Sequence, residues 1–312
     1  MGLFRRGRRG PGSPPDEVLT FMPAEQANRL RALMRESFAE AGLEVTVYAD
    51  HLVDAAGREF GVGNLARACH NDERGERAWP QIVRDHVGRV LRSLDAPSPF
   101  ETFTPEQVRA NTWPRLYEAA NLSRPEDFRY ATETAPGLVE VLNLDLPESV
   151  AFFTDDNVAQ FGPYPVLRAA ALANLRTLPV EEYQVLRDGE VSVHVLTGES
   201  LFVATLVLLL PEVLARYGEP VPERHGVLVA TPFRHQLAFH PIRDASVLPS
   251  LTALARFADA GYTEGVGGIS PHVYWWRDGE LRQITTQHED GIVIEMDDDF
   301  AEVLTEVIPE ED

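Results

Sequence analysis

The sequence predicts an α+β fold, with helices alternating with antiparallel β-hairpins in two domains. Three observations carry this. Apolar residues recur at helical spacing in separate blocks, as in Leu30, Leu33, Met34 and Phe38. Alternating apolar and polar stretches come in pairs across Asp-Gly turns, such as Asp188-Gly189. The turns inside those pairs are short, which favours mainly antiparallel sheet.

The basic stretch MGLFRRGRRGPGSPP reads as part of a disordered tail over residues 1–22. It has no apolar core of signal-peptide length, and Arg6 stands where a myristoylation pattern wants Ser or Thr. A small α+β domain is predicted over 23–95. It opens with a helix from Pro23 that Gly42 ends, carrying Leu30, Leu33, Met34, Phe38 and Ala41 on one stripe. LEVTVYAD alternates as a strand, HLVDAAG reads as a turn, and REFGVGN returns as a second strand. A helix from Asn64 follows, then WPQIVRDHVGRVLRSL, with Ile82, Val83, His86, Val87, Val90 and Leu91 on one face.

Residues 96–135 are rich in Pro and polar residues and read as a connecting segment. TPEQVRANTWPRLYEAA within it shows a broken helical pattern. The larger α+β domain is predicted over 136–312. It begins with the strand GLVEVLNLDL and the helix PVLRAAALANLRTL, followed by the hairpin EEYQVL-RDGE-VSVHVL. SLFVATLVLLLPEVLARYG reads as a long apolar helix, interrupted at Pro211 and closed by Gly218. The pair VLVATP and QLAFHP reads as a hairpin, SVLPSLTALARFADAGY as a helix and HVYWWRDGELRQIT as another Asp-Gly hairpin. The strand DGIVIEM and an acid-capped helix DDDFAEVLTEVI complete the chain.

Composition removes several functions. Of 312 residues, 49 are Asp or Glu and 28 are basic, for a formal charge of −21. That sign disfavours nucleic acid as the main partner. All the basic residues are arginine, so a P-loop lysine, a Schiff-base lysine and a lysine base are excluded. The single cysteine, Cys69, cannot form an internal disulfide or a CxxC metal site, and reads as a buried small hydrophobe. The most apolar run, LFVATLVLLL, has ten residues before Pro211. A membrane span needs about 20. Together these predict a cytoplasmic protein without a transmembrane segment.

In the second half, ESVAFFTDDNVAQFGPYPVLRAAALANLRTL places Ala171, Asn174 and Leu175 in an Ala-X-X-Asn-Leu helix. LLLPEVL and VLVATPFRHQLAF follow, the latter with Pro232 and Arg234 in a Pro-X-Arg core. This order over residues 140–285 resembles the bacterial YtpQ-like family, in which an acidic residue usually follows that arginine; here it is His235. The resemblance implies a cytosolic bacterial fold and no activity.

Several constellations invite chemistry. Arg234, His235 and His240 are the candidate catalytic residues, with Arg234 as an anion contact. His235 and His240 are five apart, so a regular strand places them on opposite faces. His225 lies across from His240 in a simple pairing, with Asp244 or Glu289 as a further ligand; the cluster reads as a polar hairpin rim and no metal is predicted. Asp85 and His86 form a His-Asp neighbour pair on a helix stripe, and His288, Glu289 and Asp290 a loop acid–base group. GVGG at 265–268 follows a helix, unlike a Rossmann loop, and reads as a flexible connection; no cofactor is predicted. In VYWW, Tyr274 and Trp276 share one strand face and Trp275 takes the other. One of these faces is expected to be a contact surface for a protein partner. The reading is a protein-binding or adaptor module, with a hydrolase using a His/Arg site near residues 234–240 as the alternative.

Overall fold

A computed structural model describes residues 13–308 apart from 123, 148, 289 and 290. The first twelve residues of the expected tail, and Glu289 and Asp290 of the loop acid–base group, lie outside the described residues. The fold is α+β, and the chain divides into two compact units, Met1–Leu94 and Asp95–Asp312.

In the first unit, helix α1 (Ala24–Glu40) packs Leu30, Met34 and Phe38 inward. It is followed by a three-stranded antiparallel sheet of β1 (Val45–Val47), β2 (His51–Asp54) and β3 (Glu59–Gly61). Helices α2 (Gly63–Asn71) and α3 (Trp79–Asp95) come next. Residues 51–54, expected as a turn, form the middle strand, and the reversal falls at Gly57, with φ of +79°. Asp54 Oδ1 fixes that reversal by accepting from the backbone N–H of Ala56 and Arg58, each at 2.9 Å. The ordered chain also begins before Pro23. Leu19 and Met22 are buried, and Asp16 accepts two bonds from the buried Arg31, at 2.9 and 2.8 Å. A disordered tail reaching residue 22 is therefore corrected for residues 13–22.

The second unit contains two larger sheets. Helices α4 (Pro99–Thr102) and α5 (Pro105–Asn111) lead into β4 (Thr112–Glu118). Strands β5 (Thr132–Ala135), β6 (Leu138–Asp145) and β7 (Val150–Phe152) complete the first sheet. Here β6 pairs with β4 on one side and with β5 and β7 on the other. The expected connecting segment 96–135 is thus part of this unit. WPRLYE is strand rather than broken helix because Pro114 forbids helix while alternation buries Leu116. Helices α6 (Asp155–Phe161) and α7 (Tyr164–Arg176) follow, and Asn174 of α7 ties down the α5–β4 junction by donating to Arg109 O and Thr112 O.

The central sheet has six antiparallel strands. They are β8 (Glu182–Asp188), β9 (Val191–Thr197), β10 (Val227–Ala230), β11 (Gln236–Pro241), β12 (Val273–Arg277) and β13 (Glu280–Gln283). Their spatial order is β13-β12-β10-β11-β9-β8. The expected long helix between β9 and β10 is instead a 3₁₀ segment, Ala204–Leu209, joined to α8 (Leu210–Arg216). Pro211 starts the second helix, having no N–H to extend the first. Helix α9 (Val247–Glu264), the small hairpin of β14 (Thr285–His288) and β15 (Gly291–Ile294), and α10 (Asp298–Val307) finish the unit.

Both faces of the central sheet are covered. Val227, Val229, Leu237, Phe239 and Tyr274 join the core with the 3₁₀ segment and α8. Leu228, Ala230, Ala238, Val273 and Trp275 pack with Leu251 and Leu254 of α9 and Phe300 of α10. No described helix is long and apolar enough to cross a membrane.

Candidate functional site

The β10–β11 turn is held in a glycine cradle. Arg234 N donates to Gly267 O at 3.1 Å and Ile269 N to Pro232 O at 2.9 Å. A Cβ on Gly267 would lie 2.8 Å from Arg234 Cδ, one on Gly261 2.8 Å from Pro232 Cβ, and one on Gly265 would overlap the Phe233 ring. The GVGG stretch is therefore not merely a flexible connection: its glycines let a second backbone approach the turn.

The three histidines of this region are separated. His235 Nδ1 lies 3.1 Å from both Gly198 O and Ser200 O, so it carries the proton, and Nε2 accepts from Arg234 Nε at 2.8 Å. Burial, and then the adjacent Arg234 charge, push its pKa down. Both ring nitrogens are thus occupied. His240 is on the opposite face, 3% exposed, with Nδ1 donating to Ser192 O at 2.7 Å and Nε2 buried without a partner. His225 does not meet His240: the register sets His240 opposite Leu228, and His225 Nε2 lies 3.1 Å from Glu306 of α10. Asp244 caps its own turn at Ser246 N. Among the described residues no group of three His, Cys, Asp or Glu is placed to hold a metal.

The aromatic run is core rather than contact surface. Tyr274 and Trp275 are each 1% exposed, with Tyr274 OH 2.7 Å from Ser270 Oγ and Trp275 Nε1 donating to His225 O at 2.8 Å. Trp276 is half-buried against the same cluster as Tyr274. Alternation leaves no open face when helices or a second layer cover both sides of the strand. Asp85 likewise accepts from Gln81, while His86 is half-buried and its pKa is lowered by burial. Cys69 is buried, its thiol pushed up to about 12, which makes it inert.

Arg234 feels the charge of a residue that sequence reasoning missed, Arg115. On β4, Trp113, Arg115 and Tyr117 share a face, and Arg115 lies over the Tyr117 ring with Cζ 4.6 Å from its centroid. Arg115 Nε is buried without a partner. Burial lowers the Arg115 pKa; burial and then the Arg115 charge lower that of Arg234 to about 10. Among the described residues neither guanidinium has a carboxylate within ion-pairing distance. The acid beside them in sequence, Glu118, faces the other way and accepts from Tyr262 OH at 2.8 Å. Tyr117 OH donates to Asn143 Oδ1 at 2.9 Å, and burial pushes its phenol up to about 12 despite both arginines. An aromatic row continues from Tyr117: Phe152 at 5.0 Å between centroids, then Phe128 at 5.7 Å.

A second polar group lies at the β8–β9 edge. Tyr183 OH is 2.8 Å from His194 Nδ1, and His194 Nε2 is 3.9 Å from Glu219, which also holds Arg243 at 2.8 Å. Burial lowers the His194 pKa to about 4 and raises that of Tyr183. The proton therefore stays on the phenol, and the imidazole serves as acceptor and stacking partner for Phe239, at 4.9 Å. Two cavities lie apart from both groups. One of 250 Å³ is lined by Arg224, Arg277 and Glu306, and one of 470 Å³ by Tyr164, Arg168 and Leu172.

Comparison of the chain with protein-family models, curated proteins and solved structures finds no match.

Proposed function

We propose that this protein acts by binding, as a protein-binding or adaptor module, and that Arg115 and Arg234 hold an anionic group of what it binds. One observation carries the reading: Arg234 lies within electrostatic reach of Arg115, both are half-buried, and among the described residues neither has a carboxylate at ion-pairing distance. The chain has 49 acids for 28 arginines, so the lack is not one of supply. Fully buried charges elsewhere are paired, Arg31 with Asp16 and Glu140 with Arg168, each at 2.8 Å. A desolvated cation beside a like charge is costly unless an anion compensates it. The overall negative field repels polyanions at long range, which favours a single localised anionic group over a nucleic acid backbone. The hydrolase reading loses its base, since His235 spends both nitrogens on its own chain and His240 is sealed in the core.

The test is a thermal-shift and calorimetric titration of the full chain with inorganic phosphate. Saturable stabilisation is expected, absent in Arg115→Leu and Arg234→Leu variants that fold normally. A shift that survives unchanged in both variants, or no shift in the wild type, refutes the reading.

A further inference from the structure

The geometry points to a phosphate monoester carried on a flat ring as the ligand of the Arg115–Arg234 pair. This rests on the anion-binding reading and adds two observations to it.

The first is charge. Two guanidiniums without an acid present about two positive charges, and a phosphate monoester carries about −1.5 to −2 at neutral pH, against −1 for a carboxylate. A dianion compensates both cations and offsets the Arg115 charge that, after burial, lowers the pKa of Arg234. The forked donors of arginine suit the several acceptor oxygens of a phosphoryl group.

The second is what adjoins the cations. Arg115 stacks on Tyr117, Tyr117 meets Phe152, and Phe152 meets Phe128. Phe152 is 37% exposed, unusual for a large aromatic with aromatic neighbours on both sides. On β7 it is registered against Asn143, so it shares the sheet face that carries Tyr117 and Arg115. A ligand whose phosphoryl group sits at the arginines can place its ring on this row. Tyr117 does not compete as an acid–base group, because its phenol is engaged by Asn143 and stays protonated.

Two sources share this chemistry, a phosphotyrosyl side chain of a partner protein and a nucleoside monophosphate. Calorimetric titration of the full chain with inorganic phosphate, phenyl phosphate, benzoate, phosphotyrosine and adenosine monophosphate separates the possibilities. Phenyl phosphate is expected to bind about tenfold more tightly than inorganic phosphate, the worth of one good ring contact. It should also outbind benzoate. Phe152→Ala should erase the tenfold preference while leaving inorganic phosphate binding unchanged. Whichever of phosphotyrosine and adenosine monophosphate matches or exceeds phenyl phosphate identifies the source. Equal binding of inorganic and phenyl phosphate overturns the ring assignment and leaves the anion site standing. Benzoate binding as tightly as phenyl phosphate overturns the phosphoryl assignment. If no probe binds, this inference and the anion-binding reading both fall.

Discussion

Acid should destabilise this fold through His194 in a measurable and separable way. The imidazole is 3% exposed, accepts from Tyr183 and stacks on Phe239. Burial lowers its pKa from the usual 6.5 to about 4, with Glu219 opposing the shift from 3.9 Å. The unfolded chain therefore takes up a proton that the folded chain refuses throughout that interval. Stability from this group is complete above the unfolded pKa and is lost as pH falls toward the folded one. Between pH 7 and pH 5 the loss from His194 alone is about 2 kcal/mol. His86, His235, His240 and His272 are shifted the same way by burial, so the whole protein should lose more. The assay is urea unfolding at both pH values for wild type and His194→Gln, whose amide can still accept from Tyr183. The variant should lose about 2 kcal/mol less than wild type over the interval. Equal losses in the two proteins, or a His194 NMR titration centred near 6.5, would refute the reasoning.

Gly226→Ala should destabilise by about 3 kcal/mol or more in thermal denaturation. Gly226 has φ of +79°, and an added Cβ would strike Trp276 O and lie 2.6 Å from Trp275 Nε1, forcing apart the bond from that nitrogen to His225 O. Asp16→Ala should cost about 3 kcal/mol in urea unfolding, because it strands the buried Arg31 charge. A midpoint within error of wild type would show that Arg31 is hydrated.

Much of the fold was legible in the sequence because local chemistry and tertiary structure agree over most of the chain. Asp278-Gly279 adopts the positive φ pair, 52° and 88°, that a two-residue hairpin turn requires. Asp297 caps α10 by accepting from Phe300 N at 2.8 Å. The failures occur where tertiary contacts override a local pattern. TPEQVRANTWPRLYEAA reads as a broken helical pattern, and only its first part becomes α5, with Thr104 and Gln107 forming a reciprocal cap. Pro114 rules out helix locally, but nothing local announces that residues 112–118 will pair with β6 along all seven positions of β4. Reading that stretch as helix hid the parity that sets Arg115 and Tyr117 on one face. His194 was missed differently: it sits mid-strand in VSVHVL, and its partners Tyr183 and Glu219 are 11 and 25 residues away in opposite directions. The aromatic run VYWW misled because alternation gives the two faces of a strand but not what covers them.

The proposed anion-binding role fits the placement of Arg115 and Arg234. A residue retained for stability should improve the fold relative to an apolar replacement of similar size. Arg115 and Arg234 do the reverse: burial lowers the pKa of each, the Arg115 charge lowers that of Arg234 further, and Arg115 leaves one nitrogen without a partner. Such groups typically cost stability when unliganded, and apolar substitution is neutral or stabilising. The surrounding structure nonetheless goes to some length to hold them. Gly267 makes room for the Arg234 stem, His235 is oriented by two carbonyls so that its lone pair receives Arg234 Nε, and Asn143 fixes the Tyr117 ring beneath Arg115. Positions where every neighbour is consistent with the fold except the charge itself are where sequences yield stability to another requirement. On the proposed reading, the compensating negative charge comes from what the protein binds and not from its own acids.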